Sequence, residues 1–344
     1  MLIKTLLQKF CTERNLTEST ARSYESALKH YIKYHKLSFE DLLQEAKTEE
    51  NKKIPLKERK IKKRLLEYRS HMQKSKLTPN TIRTYFNKIK TLYIHFDIEI
   101  PPLPTTKYNK TYQTSYLDLP TREHIQKACD NTTLDLKAII LFMSSSGTSK
   151  SETLSITIKQ FIQATKNYHN GGTIKKILKT LSTQKNIIPT FYLKRNKTNK
   201  YYYTFCTPEA TQHIIKYLQT RKNLKPQDKL FDIKPSTLSQ RFTELNDKMN
   251  WGFKGNYRFF RAHTLRKYHA SNIGLSAEYV DELQGRTKNQ IHETYIKTNP
   301  DKLKTLYTKV MNNVIIYNTE PETINQEFTI VINIFLAGKE YTIQ

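Results

Sequence analysis

The most informative stretch of the sequence reads Ala262-His263-Thr264-Leu265-Arg266-Lys267-Tyr268-His269-Ala270. If this segment is helical, His263 and Arg266 stand three residues apart and share one face of the helix. A planar guanidinium beside an imidazole suits the oxygens of a phosphate, because arginine can grip two oxygens at once. The segment therefore predicts a helix that carries a phosphate site.

Further markers follow this segment at short intervals. The amphipathic stretch 279–283 leads into Gln284-Gly285-Arg286, and Tyr295 lies nine residues after Arg286. Asn299 followed by Pro300 predicts the cap and first turn of another helix. The sequence thus contains a histidine–arginine pair, a glycine followed by a basic residue, and a tyrosine, in that order.

The residues around this region indicate helices together with a β-hairpin. Helices are predicted from Thr121 to about Asp130, from Leu134 to about Ser144 and from Pro208 to about Asn313. The hairpin is predicted from two runs of β-forming residues, 187–193 and 201–206, which flank a polar, basic turn from Lys194 to Lys200. One more strand is predicted from Phe328 to Phe335, outside the main helical mass and with no obvious partner strand nearby.

The N-terminal part contains two similar segments. Residues 16–24, Leu-Thr-Glu-Ser-Thr-Ala-Arg-Ser-Tyr, return as residues 77–85, Leu-Thr-Pro-Asn-Thr-Ile-Arg-Thr-Tyr. Thr17 and Thr78 predict N-caps of two amphipathic helices, with Pro79 in the first turn of the second. The basic segment 57–68 between them predicts another helix, whose charges either face solvent or contact DNA. The proline-containing run 100–106 then marks a domain boundary.

This order of elements resembles the tyrosine recombinases, the family of phage integrases and Xer-type proteins. The family's H-x-L-R box corresponds to residues 263–266, and its L-G-H/W element corresponds to Gln284-Gly285-Arg286. The nucleophile of the family falls on Tyr295 at the usual interval. The resemblance spans roughly residues 1–315, and its catalytic half is the more specific part.

The resemblance extends to two further elements. One is the family's catalytic lysine in a β-hairpin tip, which falls on Lys197 when counted back from Thr207-Pro208-Glu209-Ala210, and the other is the first box. The family's first box, S-G-x-R-x-S-E, corresponds to Ser146-Gly147-Thr148-Ser149-Lys150-Ser151-Glu152. The chain departs from the family here, because Ser149 stands where the arginine belongs and Lys150 follows it. Lysine supplies a positive charge but not a bidentate fork. The departure therefore bears on activity rather than on the fold.

The resemblance implies covalent catalysis on DNA. Tyr295 would attack the scissile phosphate to form a 3′-phosphotyrosyl link, and a 5′-hydroxyl would leave. Fixed cations would stabilise the charge on the phosphate, so that no metal or other cofactor is implied. The resemblance implies that Arg266 holds the phosphate oxygens and that His263 transfers a proton or positions the phosphate. Lys197 would protonate the leaving oxygen, with Lys194 and Lys200 as alternatives. Arg286 would add a phosphate contact, and Lys150 would replace the missing arginine. Glu152 is expected to hold its helix start or an arginine.

The expected fold is mainly α with a small antiparallel β-sheet. Its expected parts are a helical, SAM-like core-binding domain (1–98), a linker (99–116), a recombinase catalytic domain (117–315), and a tail (316–344) with a strand for exchange between subunits.

The composition agrees with a nucleic-acid partner. A formal net charge of +27 attracts a polyanion, because each neutralised phosphate releases condensed counterions. An AT-rich genome would also enrich lysine codons, so that charge alone does not decide the matter. The candidate DNA contacts are Arg22, Arg83, Lys88, Lys194 and Lys200, and phosphate contact is expected before base readout.

The resemblance implies a site-specific recombinase or integrase acting on double-stranded attachment sites, as a homo-oligomer that forms a tetramer in the synaptic complex. Three widely spaced cysteines, the lack of a long apolar run and the lack of a signal peptide predict a cytoplasmic protein on chromosomal or viral DNA. The alternatives are a catalytically impaired DNA-binding protein of the same fold, a type IB topoisomerase, and a nucleic-acid-binding protein whose motifs match by accident.

Overall fold

The computed structural model describes residues 2–105, 112–195, 197–286, 299–317, 332–336 and 339–343. These residues form two compact units, one up to Gln113 and one from Thr114 onward. Both are mainly helical, and short antiparallel strand pairs complete the architecture. The predicted fold class, mainly α with little antiparallel β structure, is confirmed.

The first unit is built from five helices. They are α1 (Leu2–Glu13), α2 (Glu18–His35), α3 (Phe39–Asn51), α4 (Lys60–Lys74) and α5 (Pro79–His95). The two similar segments of the sequence begin α2 and α5, which pack against each other. Their facing side chains include Tyr31 and Tyr93, which are buried and joined through their hydroxyls at 3.1 Å. The repeated pattern therefore describes a helix pair with a shared core.

The basic segment between them is amphipathic rather than uniformly exposed. Helix α4 buries Ile61, Leu65, Tyr68 and Met72 in the core of the first unit. Its lysines and arginines lie on the remaining faces, where Arg64 pairs with Glu45 of α3. Part of the positive charge of α4 is thus already neutralised within the unit.

The second unit surrounds one central helix. Its helices are α6 (Arg122–Asp130), α7 (Leu134–Ser146), α8 (Lys150–Ser155), α9 (Ile158–Ala164), α10 (Ile174–Ser182), α11 (Pro208–Thr220), α12 (Pro235–Lys248), α13 (Ala262–Asn272), α14 (Ala277–Leu283) and α15 (Pro300–Val310). All residues from Ala138 to Ser146 in α7 are buried, as expected of a helix enclosed on every side. Helices α11 and α13 pack against α7. The C-terminal end of α7 is therefore held by packing on all sides, which fixes where the next segment begins.

The predicted hairpin is present, but it is shorter than expected. Strand β1 (Thr190–Lys194) pairs with β2 (Tyr201–Phe205), with Thr190 opposite Phe205 and Lys194 opposite Tyr201. The prediction that the first strand begins at residue 187 is wrong, because Thr207 already caps α11 and leaves no partner beyond Phe205. Pro189 also has no N–H group to donate.

The prediction of uninterrupted helices from Pro208 to Asn313 is also wrong. A second, very short hairpin stands between α12 and α13 and consists of β3 (Phe253–Lys254) and β4 (Tyr257–Arg258). Gly252 and Gly255 have positive φ angles of 64° and 58°, which end the helical path and turn the chain.

The C-terminal strand has a partner, contrary to expectation. Strand β5 (Ile332–Leu336) pairs with β6 (Lys339–Ile343) as an antiparallel hairpin. The sequence analysis missed β6 because its residues, Lys-Glu-Tyr-Thr-Ile, are partly charged and carry a weak β signal. Residues 328–331 of the predicted strand lie outside the described residues.

None of the helices in the described part of the chain has the length and hydrophobicity needed to cross a bilayer. Likewise, the described side chains contain no group of three or more His, Cys, Asp or Glu residues arranged to hold a metal ion.

Candidate functional site

The site is organised by the turn between α7 and α8. Gly147 ends α7 in the left-handed conformation at φ 67°, and a Cβ atom here would lie 2.5 Å from Nδ1 of His269. Ser149 then caps α8, with its hydroxyl accepting from the backbone N–H of Glu152. The carboxylate of Glu152 accepts in return from the N–H of Ser149 at 2.9 Å. This capping box aims the Glu152 side chain back into the unit.

Glu152 is buried and gathers several donors. Its Oε2 accepts from the hydroxyl of Tyr202 at 3.2 Å and lies 3.3 Å from Nη1 of Arg266. Its Oε1 lies 3.5 Å from Nε of Arg195. A buried carboxylate needs such partners, because a charge taken out of water is costly when it is left unpaired. Glu152 thus both caps its helix and holds an arginine, as the sequence analysis expected.

Arg266 is fixed by three separate segments of the chain. Besides Glu152, its Nη1 donates to the carbonyl of Gly147 at 2.8 Å and its Nη2 to the carbonyl of Gln284 at 2.7 Å. Only 6% of the side chain is exposed. Desolvation lowers the pKa of Arg266, while Glu152 opposes this shift. The guanidinium is a rigid cation whose orientation is set before any ligand binds.

His263 stands one turn before Arg266 and keeps access to solvent. Both side chains line a cavity of about 560 Å³ whose other walls include Lys150, Tyr257, Arg258 and Arg261. Desolvation, together with the charges of Arg261, Lys267, Arg266 and Arg286, lowers the pKa of His263. The imidazole is therefore neutral at neutral pH. The predicted pair does open onto one space, and that space is rich in cations.

Helix α13 is anchored behind the site by His269. This residue is fully buried, and its Nδ1 accepts from Nε2 of Gln284 at 3.0 Å. Burial, followed by the charges of Arg266 and Arg286, lowers its pKa to about 3. Gln284 also donates to the carbonyl of Arg266 at 3.1 Å. The glutamine in the leucine position of the family element therefore ties the end of α14 to α13.

The hairpin tip presents the candidate lysines differently. Lys197 is exposed, and none of the described residues pairs with its ammonium group. Lys200 lies 3.5 Å from Glu282 and donates to the carbonyl of Arg286 at 3.3 Å. Lys194 lies at the end of β1, 5.5 Å from the ring centre of Tyr201. Among the three candidate lysines, Lys197 is thus the one that makes no contact with the described side chains.

The two remaining cations of the predicted set flank the site. Arg286 is partly exposed and lies 3.5 Å from Asp281. The ammonium of Lys150 lies 2.7 Å from Oγ of Ser239 and 3.4 Å from the carbonyl of Pro235, both on α12. Lys150 therefore faces the cavity wall formed by α12. Its ammonium makes no contact with Glu152 among the described side chains.

Tyr295, the predicted nucleophile, lies outside the described residues. The structure describes the chain up to Arg286 and again from Asn299, which caps α15 by accepting from the N–H groups of Asp301 and Lys302. The described residues thus include the predicted phosphate-binding groups, and Tyr295 belongs to the sequence between Arg286 and Asn299.

The candidate DNA contacts of the first unit lie on its two similar helices. Arg22 is exposed on α2 and pairs with Glu18 one turn earlier. Arg83 is exposed on α5. Lys88, on the same helix, contacts the hydroxyl of Ser23 and lies 4.9 Å from the ring centre of Tyr24. Lys88 therefore joins α5 to α2, and desolvation lowers its pKa.

Sequence reasoning missed three residues of the site. Tyr202 and Arg195 come from the hairpin, and Arg261 precedes α13 with its guanidinium 4.4 Å from the ring centre of Tyr257. The contacts of Tyr202 and Arg195 with Glu152 join positions that are far apart in the chain, and the local patterns of the sequence carry no signal for them. Arg261 instead contacts Tyr257 of the preceding strand β4. The substitution at Ser149 was the one hint that another cation was needed.

No family model and no curated protein sequence matches the chain. Among solved structures, a lambda integrase tetramer bound to a Holliday junction is 12% identical, with 85% of this chain and 75% of that chain covered and a TM-score of 0.51. A lambda integrase dimer bound to a COC′ core site is 12% identical, covers 85% and 76%, and has the same TM-score of 0.51. The XerH site-specific recombinase bound to its difH substrate is 15% identical, with 87% and 82% covered and a TM-score of 0.49. The similarity to the two lambda integrase structures identifies the architecture, and the chain therefore has the fold of the tyrosine recombinases.

Proposed function

We propose that the chain is a site-specific DNA recombinase or integrase that cuts and rejoins DNA through a 3′-phosphotyrosyl intermediate on Tyr295. The observation that carries the proposal is Arg266, buried against Glu152 and opening with His263 onto a cation-lined cavity. Such a preoriented guanidinium matches the oxygens of a phosphodiester. The similarity of the fold to that of lambda integrase supports the proposal that this site acts on DNA.

The proposed chemistry has two steps. In the first, the phenolic oxygen of Tyr295 attacks the scissile phosphorus, the phenol loses its proton, and the bond from phosphorus to the 5′ oxygen breaks. The leaving 5′ oxygen takes up a proton and becomes a hydroxyl. In the second step, a 5′-hydroxyl from a partner strand loses its proton and bonds to the phosphorus, the bond from phosphorus to the Tyr295 oxygen breaks, and the phenol regains a proton. Each step keeps one phosphodiester-type bond, so that no external energy source is required.

The roles that we propose for the described residues are those implied by the resemblance to the tyrosine recombinases. Arg266 holds the non-bridging oxygens and stabilises the charge that develops on them. His263 is neutral at neutral pH, so that it can accept a proton or donate a hydrogen bond to the phosphate. Lys197, exposed at the hairpin tip, protonates the leaving oxygen. Arg286 adds a phosphate contact, and Lys150 provides positive charge at the cavity wall.

The domain roles and the oligomeric assembly that we propose follow from the same resemblance to the tyrosine recombinases. The first helical unit, residues 1–98, would bind DNA as a core-binding domain, and a linker (99–116) would join it to the catalytic domain (117–315). Double-stranded attachment sites are the substrates, and a homotetramer would form the synaptic complex. The tail, residues 316–344, would add a strand to a neighbouring subunit. Deletion of residues 318–344 with unchanged synaptic assembly would argue against that role.

A nicked suicide substrate tests the enzymatic proposal. On this DNA the 5′-hydroxyl fragment diffuses away after cleavage, so that a covalent protein–DNA adduct accumulates and is seen on a denaturing gel. We expect the adduct with the wild-type chain and none with Tyr295→Phe. Tight and salt-sensitive binding of the same DNA without any adduct would refute catalysis.

A second candidate function is a catalytically impaired DNA-binding protein of the same fold. It is favoured by Ser149, which stands in the position of the first-box arginine and supplies a neutral hydroxyl that caps α8. Site-specific binding by the wild-type chain, equal in affinity to that of Tyr295→Phe and without an adduct in either case, would establish this alternative.

A further inference from the structure

The site lacks one guanidinium in the position where the sequence pattern expects it. Ser149 replaces the first-box arginine, and Arg266 has already committed both Nη1 protons and one Nη2 proton to Gly147, Glu152 and Gln284. Among the described contacts, this leaves its Nε–H and one Nη2 proton for a substrate oxygen. A phosphoryl group under attack spreads its negative charge over two non-bridging oxygens. One arginine with only two N–H groups left for the phosphate stabilises this charge weakly.

Arg195 lies at the base of the hairpin tip and folds inward. Its backbone N–H donates to the carbonyl of Lys200 at 2.7 Å, which closes the tip. Its Nη1 donates to the carbonyl of Gly285 at 2.8 Å, and its Nε lies 3.5 Å from Oε1 of Glu152. Only 20% of the side chain is exposed. An arginine in a basic hairpin tip would otherwise extend into water.

Arg195 and Arg266 are held by the same two anchors. Glu152 turns one carboxylate oxygen toward each guanidinium. The consecutive carbonyls of Gln284 and Gly285 each accept from one of them. The two guanidiniums thus flank the carboxylate of Glu152, although one comes from a helix and the other from a hairpin.

This arrangement holds more positive than negative charge. One buried carboxylate faces two arginines, and the proximity of Arg195 contributes to the lowered pKa of Arg266. Two guanidiniums that share one carboxylate leave one positive charge uncompensated, which is costly in a largely buried place. The surplus is therefore a reason to expect an anionic ligand beside the guanidiniums.

Resting on the proposed function, we propose that Arg195 takes the place of the missing first-box arginine and contacts the scissile phosphate together with Arg266. Lys150 is less suited to this role, because its ammonium is bound to Ser239 and Pro235 on α12. The hairpin that carries Lys197 would then bring two cations to the phosphate, one to hold it and one to protonate the leaving group.

Single-turnover cleavage of the suicide substrate tests the role of Arg195. We expect Arg195→Ala to cleave about 100-fold more slowly, the usual loss for one donor to a developing oxyanion. Arg195→Gln keeps a donor for Gly285 and should be similarly slow, which separates loss of charge from loss of the hairpin contact. Arg241→Ala is the matched control, because Arg241 is about as buried and pairs with Asp135 away from the site.

A substrate with a neutral methylphosphonate at the scissile position distinguishes phosphate contact from a structural role. If Arg195 offsets phosphate charge, the defect of Arg195→Ala should shrink to less than about 10-fold on this substrate, because the charge has been removed. An equal defect on both substrates overturns the proposal. So does wild-type cleavage by Arg195→Ala combined with a large loss in Lys150→Ala.

Half-site binding keeps this inference separate from the enzymatic proposal. Loss of one phosphate contact should lower the slope of log K against log salt by about 0.9, whether or not the chain cleaves DNA. A lowered slope in Arg195→Ala without any wild-type adduct supports the contact and refutes the recombinase activity. An unchanged slope, equal to that of Arg241→Ala, refutes the contact.

Discussion

Single residues determine how closely the parts of the site approach one another. Gly285 follows Gln284 in the sequence and has a φ angle of 60°. A Cβ atom at this position would lie 2.5 Å from the ring of Tyr202. Tyr202 donates to Glu152, so that any displacement of the ring reaches the carboxylate that holds Arg266. The absence of a side chain at position 285 is thus a requirement of the site.

We predict that Gly285→Ala is more damaging than Gly171→Ala. Both glycines have positive φ angles, which cost an L-residue about 1–2 kcal/mol. Only Gly285 has a neighbour in the way, because a Cβ atom at Gly171 would meet nothing within 4 Å. Urea unfolding should give a clearly larger loss for Gly285→Ala. Equal losses would show that strain of the backbone, and not contact with Tyr202, governs position 285.

His269 makes the stability of the second unit dependent on pH. Its pKa is lowered to about 3 in the folded protein by burial, while an unfolded chain has the ordinary value of about 6.5. The neutral form is favoured in the folded state, so that stability is complete above pH 6.5 and falls as the pH decreases toward 3. The loss amounts to at most about 1.4 kcal/mol per pH unit.

Comparison with His269→Gln isolates this contribution. Between pH 6.5 and pH 5 the free energy of unfolding of the wild-type protein should fall by up to about 2 kcal/mol more than that of the variant. Urea titrations at the two pH values measure both. Parallel pH dependence in the two proteins would mean that His269 does not resist protonation in the folded state.

At the scale of elements, the two similar helices of the first unit have unequal caps. Thr78 accepts a hydrogen bond from the backbone N–H of Thr81 at the start of α5. Thr17 precedes α2 in a similar extended conformation, but its side chain makes no capping hydrogen bond. Equal sequence patterns therefore give unequal local stabilisation.

We predict that Thr78→Ala destabilises the protein by about 1 kcal/mol, the usual loss for an N-cap hydroxyl. Thr17→Ala should cost clearly less, because no capping bond is lost. Thermal unfolding followed by circular dichroism measures both variants. A larger loss for Thr17→Ala would contradict the difference in capping.

The elements also show what a single sequence can and cannot predict. The helix with His263 and Arg266 and the β1–β2 hairpin were predicted because their signals are local: helical spacing in the first and two runs of β-forming residues around a polar turn in the second. Helix α10 was missed although it is as long as the predicted α6, and the β3–β4 hairpin was missed because its strands have only two residues each. The inward fold of Arg195 was missed because it depends on Glu152 and Gly285, which come from two other parts of the chain.

At the scale of the whole molecule, charge is the dominant feature. The formal net charge of +27 already counts every acidic residue, so that ion pairs within the protein leave it unchanged. Such a surface attracts DNA of any sequence through counterion release. Specific recognition would then depend on contacts added to this background.

We predict that half-site affinity falls by at least about 10³-fold between 50 and 200 mM salt, as for a protein with six or more phosphate contacts. Fluorescence anisotropy with a labelled duplex measures the affinity, and an unrelated duplex of equal length is the control. A change of less than about tenfold would contradict a mainly electrostatic interface.

The most direct test of the account is the identity of the residue that becomes linked to DNA. Trypsin cleavage after Lys288 and Lys297 releases residues 289–297, a peptide with Tyr295 as its single tyrosine. After nuclease treatment of the suicide-substrate adduct, mass spectrometry should find a nucleotide linked to this peptide through its 3′-phosphate. A phosphonucleotide on any other residue would contradict the account, because Tyr295 is then not the group that reaches the phosphate held by His263 and Arg266.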